Sequence, residues 1–173
     1  ADTGAEPSAV YRHLDWLVGH LPFPVHRVTA GSLRERIGQL RPSGRTRYLD
    51  IPAYTAGKDG RPTPITRSCT QTYKLEPIRR KVRQLAGIYR QRSPTSPIVE
   101  QWIGISSDEA QRQKPALEKQ RQADGTWRLV PCKWQVNRWP LIDLGMSRTD
   151  CLAWMKQHGY PQPPRSACTF CPF

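Results

Sequence analysis

Val10, Leu14, Leu17 and Leu21 fall at i, i+4, i+7 and i+11, one apolar stripe along a helix that runs through PSAVYRHLDWLVGHL. Pro7 suits the first turn, where a missing N–H costs nothing. Before this helix, Ala1 to Gly4 reads as the tail of a buried strand. After it, FPVHRVTA at 23–30 reads as a short strand and SLRERIGQL at 32–40 as a second helix started by Ser32. Strand, helix, strand, helix is a βαβ rhythm, because parallel strands need a crossover and the helix supplies it. The expected class is therefore α/β, a parallel sheet flanked by helices.

Further on, residues 41–66 are rich in Gly, Pro, Arg and Thr, and apart from the apolar patch YLDIPAY they read as an ordered loop over the sheet edge. CTQTYKLEPIRRKVRQLAG then gives a basic helix with Leu75, Ile78, Val82 and Leu85 as its inner stripe and Gly87 as its stop. VEQWIGIS at 99–106 is expected as a strand, followed by a short helix from SDEAQR, and 114–131 as an exposed insertion. WPLIDLGM leads into SRTDCLAWMKQHGY, where Ser147 and Asp150 have capping-box spacing. No internal repeat is visible. A length of 173 residues favours one domain spanning 1–173, with the loop-rich insertions at about 41–66 and 114–131.

Charge narrows the partners. The formal net charge is +13, and between Arg67 and Arg92 there are eight Lys or Arg against one acid, Glu76. Such a balance calls for an anion, either nucleic acid or a multiply phosphorylated small molecule, unless the helix is simply a solvated basic face. No run approaches the ~18 apolar residues of a membrane span, and no basic-then-apolar leader opens the chain. No membrane partner and a cytoplasmic location are expected. Hydrophobic residues make up only 37% and there are 17 prolines, which points to substantial loop content and to elements that pack against parts not present in this sequence.

Five cysteines, at 69, 132, 151, 168 and 171, fit disulfides poorly, since the number is odd, the spacing wide and no secretory leader is present. Cys168 and Cys171 form a C-x-x-C, the spacing that lets two thiolates reach one metal from a tight turn. The proline after Cys171 matches the loops of iron–sulfur sites. Cys69 and Cys151 stand at helix N-termini, where the helix dipole favours thiolate, and are the candidates to complete the set. Cys132, between Pro131 and Lys133 in the insertion, is the outlier. For any of Cys69, Cys132 and Cys151 the alternative is a small buried hydrophobe.

Three strand-end motifs carry anion-binding chemistry. ADTG puts an acid, a hydroxyl and a glycine where open α/β sheets bind ligands, namely Asp2, Thr3 and Gly4. RSCTQTYK sets Arg67, Thr70 and Lys74 around a helix N-terminus. WIGISSDEAQR offers Gly104, which allows close backbone approach, and Arg112 at the next helix.

The ordered set ADTGAEPSAVYRHLDWL, RSCTQTYKLEPIRRKVRQL, QWIGISSDEAQR, WPLIDLGMSRTDCLAWMKQHGYPQPP and CTFCPF resembles the phosphoadenosine phosphosulfate reductase family of the adenine nucleotide alpha hydrolase-like (PP-loop) superfamily, in the reductase-like form common in phage and actinobacterial genomes. The likeness runs nearly end to end, with gaps at about 41–66 and 114–131. It implies a Rossmann-like parallel sheet, an oxidoreductase or sulfur-transfer enzyme acting on an adenosine nucleotide, and a [4Fe–4S] cluster on cysteine ligands. Asp2, Thr3 and Gly4 would line the adenosine pocket, Cys69 would be a cluster cysteine and Lys74 a substrate-anion lysine. Trp102 and Gly104 would lie near the nucleotide, and Cys168 and Cys171 would complete the cluster.

Three departures shape the expectation. The superfamily's Ser-Gly-Gly-x-Asp-Ser loop, which would bring ATP and Mg²⁺ into the parent, is absent before ADTG, and this implies an N-terminally truncated piece, inactive alone. Members usually carry adjacent cysteines where Ser68 precedes Cys69 here, so Cys151 is the inferred fourth ligand. No residue matches the family's nucleophilic C-terminal cysteine, and the catalytic residue stays unassigned. Two alternatives stand beside this reading. One is an ATP-dependent enzyme inserting sulfur into nucleic acid, as in phosphorothioation or thiolation, which accounts better for the +13 charge. The other is a nucleic-acid-binding module held by zinc on Cys69, Cys151, Cys168 and Cys171.

Overall fold

A computed structural model describes residues 1–36, 54–64, 69–169 and 171, with the side chains of Thr55 and Pro64 left aside. The chain is mixed helix and strand, with small parallel and antiparallel sheets. It divides into two compact units, one made of 1–85 with 163–173 and the other of 86–162.

In the first unit, α1 covers Ser8–His20, buries Val10 and half-buries Leu14 and Leu17, as its stripe requires. The strands expected on either side of it are reduced to a single parallel bridge between Asp2 and Thr29, with Asp2 N donating to Val28 O at 2.7 Å. Parallel order is thus present, in its shortest form. α2 is described over Leu33–Arg36, with Glu35 N donating to Ser32 Oγ at 3.3 Å; the rest of the expected helix, from 37, lies outside the described residues. So does much of the loop at 41–66, whose described part holds the antiparallel pair β1 (Tyr54–Ala56) and β2 (Pro62–Pro64).

The basic helix begins with a wide turn. Thr70–Leu75 is π-helical, with Glu76 N donating to Gln71 O, and α3 follows over Glu76–Leu85. A π turn holds more residues than the 3.6 of an α-helix, so it shifts the inward face. Tyr73 and Pro77 are buried, whereas Leu75 and Leu85 of the expected inner stripe are exposed. Gly87, at φ +70°, ends the helix as expected. The core of this unit is Ala5, Leu33 and Tyr73, with Ala30, Cys69 and Cys168 packed against it.

In the second unit, β3 (Val99–Trp102) pairs in parallel with β6 (Gln135–Arg138). The strand expected to reach 106 stops at Trp102, and a 3₁₀ segment covers Ser107–Arg112. The exposed insertion at 114–131 is an ordered antiparallel hairpin, β4 (Leu117–Arg121) with β5 (Trp127–Pro131). Trp134, 1% exposed, anchors it by donating from Nε1 to Glu118 Oε2 at 3.2 Å. α4 (Pro140–Asp143) and α5 (Arg148–Gln157) follow, and α5 carries the full Ser147–Asp150 capping box. Among the described residues no helix is long and apolar enough to cross a membrane.

Candidate functional site

The strand end ADTG is tied to sequence-distant segments. Thr3 is buried, and its O accepts from Leu33 N at 2.7 Å, which brings the start of α2 over the strand end. Thr3 Oγ1 donates to Glu6 Oε1 at 3.3 Å and lies 3.2 Å from Cys168 Sγ, while Cys168 Sγ donates to Glu6 Oε1 at 3.5 Å. The C-terminal segment is pinned there by Thr169, whose N and Oγ1 both donate to Ala5 O, at 2.8 and 3.1 Å. Cys171 N donates to Cys168 O at 2.9 Å, closing the C-x-x-C turn.

The expected roles divide. Asp2 is engaged locally, its Oδ1 accepting from Gly4 N at 2.8 Å and from Tyr11 Oη at 3.0 Å. Burial and the Asp2 carboxylate together push the Tyr11 hydroxyl above its ordinary pKa. Gly4 is required by packing: its φ is +68°, and a Cβ there would meet Ser32 at 2.8 to 2.9 Å. Thr3 is the member of the trio that reaches a thiol. Thr70 is exposed and Lys74 half-buried in the π turn; Arg67 lies outside the described residues.

Cys168 is half-buried, and its thiol pKa is raised, first by desolvation and next by the negative charge of Glu6. The hydrogen bond with Thr3 and the positive charge of Lys74 oppose this. Lys74 therefore stands near enough to favour the thiolate. Glu6 is 8% exposed, and its Oε2 is buried with no hydrogen-bond partner among the described residues. Sequence reasoning missed Glu6, though its place two residues after Gly4 was a signal that the strand end carries a second acid.

Cys69 and Cys168 pack against the same apolar cluster although 99 positions separate their numbers. None of the five cysteines is in a disulfide. Two thiols on one cluster, a C-x-x-C turn and an orphan buried carboxylate oxygen suit a cationic inorganic group in kind of donor. Among the described residues, however, no three His, Cys, Asp or Glu side chains are gathered as a ready metal cage.

The remaining candidates belong to the second unit. Cys151 is half-buried in the first turn of α5, its N donating to Ser147 O at 3.0 Å. Cys132 N donates to Ala116 O at 2.8 Å, beside the hairpin. Gly104 faces open space, so backbone approach is unobstructed. Trp102 is 71% exposed and donates from Nε1 to Glu100 Oε1 at 2.6 Å. Arg112 pairs with Glu109 at 2.6 Å, an ion pair a ligand anion would have to displace.

Compared with protein-family models, curated proteins and solved structures, the chain matches none.

Proposed function

We propose that this chain forms part of a phosphoadenosine phosphosulfate reductase-like enzyme of the PP-loop superfamily, acting on an adenosine nucleotide beside a cysteine-ligated [4Fe–4S] cluster. The observation that carries this reading is the meeting of the strand end at Thr3 to Glu6 with Cys168, on the apolar cluster that also holds Cys69. These are the segments the family likeness assigns to nucleotide and cluster. A Rossmann-like sheet is part of the proposal, supported by the parallel Asp2–Thr29 bridge and the parallel β3–β6 pair.

Each residue then has a physical task. Lys74, whose charge already favours the Cys168 thiolate, holds the substrate anion, as preorganised charge commonly supplies the largest catalytic term. Thr3 orients the thiol by its hydrogen bond, and Gly4 lets the Ser32 backbone close over the strand end. Cys69, Cys168 and Cys171 would hold the cluster as thiolates, so that ligation would override the raised thiol pKa of Cys168, and the cluster would supply a local electrostatic field.

The test is preparation without oxygen, followed by iron, sulfide and zinc analysis and visible absorption. The proposal expects a brown protein whose iron and sulfide are lost in Cys69→Ser and Cys168→Ser and kept in Cys132→Ser; Cys151→Ser decides the fourth thiol. A colourless protein holding one zinc would replace the cluster with a structural zinc site. Lys74→Ala should weaken adenosine 5′-phosphosulfate binding about tenfold by calorimetry, ~1.4 kcal/mol. Unchanged affinity would remove Lys74 from the anion site.

A further inference from the structure

One side of α3 runs from buried Pro77 through half-buried Lys81 to exposed Arg80 and Gln84. Pro77, Arg80, Lys81 and Gln84 stand at i, i+3, i+4 and i+7, so they share one side of the helix. Opposite them runs the segment 25–29, whose Thr29 makes the parallel bridge to Asp2. Between the two is a hollow of about 370 Å³, lined by His26, Arg27, Arg80, Lys81, Gln84 and Pro77 among others, with no acidic residue in the lining. Arg27 is paired with Asp15 on α1. Among the described residues, His26, Arg80 and Lys81 have no carboxylate partner.

Two cations without a carboxylate partner facing one hollow repel one another, which costs free energy unless an anion fills it. The lining also decides the kind of anion. Apart from the imidazole of His26 it carries no aromatic ring, so the bases of a single strand would find no stacking platform. Its donors, guanidinium, ammonium and amide, suit phosphate oxygens. The helix continues the charge with Arg79 and Arg83, and the whole chain carries +13, more than a single small nucleotide neutralises.

We propose that the hollow between segment 25–29 and α3 binds the phosphodiester backbone of duplex nucleic acid, through Arg80, Lys81 and His26, without reading sequence. This site is independent of the nucleotide reading above, since it shares neither Thr3 nor Lys74 with it. Binding should therefore survive Lys74→Ala, and so failure of one proposal leaves the other standing.

The experiment measures anisotropy of a labelled DNA duplex with the full chain, from about 50 to 200 mM salt. Two to three phosphate contacts predict a loss of roughly one to one and a half decades of affinity over that range. The double variant R80Q/K81Q should weaken binding at least about tenfold and reduce the slope of log K against log salt by about 2. The exchange R80K/K81R, which keeps both charges, should retain the slope. A pair of equal charge loss in the other unit, K119Q/R128Q on the β4–β5 hairpin, should change binding far less. Equal weakening by both pairs would assign binding to diffuse charge and overturn the site. Unchanged binding in R80Q/K81Q would overturn it as well. Preference for a single strand, or saturation by inorganic triphosphate with no steep duplex dependence, would assign the hollow another ligand and end the duplex proposal.

Discussion

With a Cβ at Gly4, the new atom would lie 2.8 to 2.9 Å from Ser32 Oγ, Cα and Cβ, and the backbone there has φ of +68°. Both the left-handed conformation and the contact exclude a side chain, and one of the contacting atoms is main chain, which cannot swing away. Gly4→Ala should lower stability by about 2–4 kcal/mol in denaturant melts, the range of substitutions that combine backbone strain with overpacking. A loss under about 0.5 kcal/mol would mean that the Ser32 turn relaxes freely. At Cys168, desolvation and Glu6 hold the thiol above its usual range, while Thr3 and Lys74 pull it down. In the metal-free chain Glu6→Gln should therefore speed alkylation of Cys168 at mildly alkaline pH, because a charge opposing the thiolate is gone. Mass spectrometry of the modified peptide reads this, and an unchanged rate would uncouple Glu6 from the thiol.

At the scale of elements, α5 shows how local chemistry sets a boundary. Ser147 Oγ accepts from Asp150 N at 3.2 Å, and Asp150 Oδ2 accepts from Ser147 N at 2.9 Å. Ser147→Ala removes half of this exchange and should cost about 1 kcal/mol. The Ser147 hydroxyl holds Asp150 below the ordinary carboxylate range, and hydrogen bonding by Ser106 does the same for Asp108, which also accepts from Arg148 N at 3.1 Å. Lowered folded values mean that the unfolded chain binds protons first. The stability these groups add is present above the unfolded carboxylate pKa of about 4 and drains away as pH falls through the folded values. Acid titration followed by circular dichroism should show helix lost earlier in Ser147→Ala than in the parent. Both α1 and α5 also end on a stacked Trp–His pair, with His Nδ1 on the Trp carbonyl, at 2.7 Å for His20 and 2.8 Å for His158. In the hairpin, Glu118 Oε2 accepts from both Ser93 Oγ and Trp134 Nε1, so Glu118→Ala should cost about 1–3 kcal/mol.

For the whole molecule, a net charge of +13 on 173 residues works against compaction. Screening relieves part of that repulsion, so raising salt from about 10 to 150 mM, where the Debye length falls from about 30 to 8 Å, should raise the melting temperature. A fall would show that specific ion pairs such as Arg27–Asp15 and Arg138–Glu100 outweigh the repulsion.

Helix α1, the capped start of α5, the stop at Gly87 and the parallel sense of the Asp2–Thr29 bridge were legible from residue order, because periodicity, capping and chirality act over a few neighbours. The turn around Cys168 and Cys171 was legible for the same reason. Tertiary structure alone decided the π turn that brought Tyr73 and Pro77 inward in place of Leu75, and the pairing of 117–121 with 127–131 in a stretch read as an insertion. It alone decided that Glu6 meets Cys168 across 162 positions of chain, and that the polar face of α3 fronts a hollow. Local preference carries no record of which distant surfaces meet: that is set by which packing buries Tyr73 and Trp134 while leaving charges in water, a sum over the whole chain.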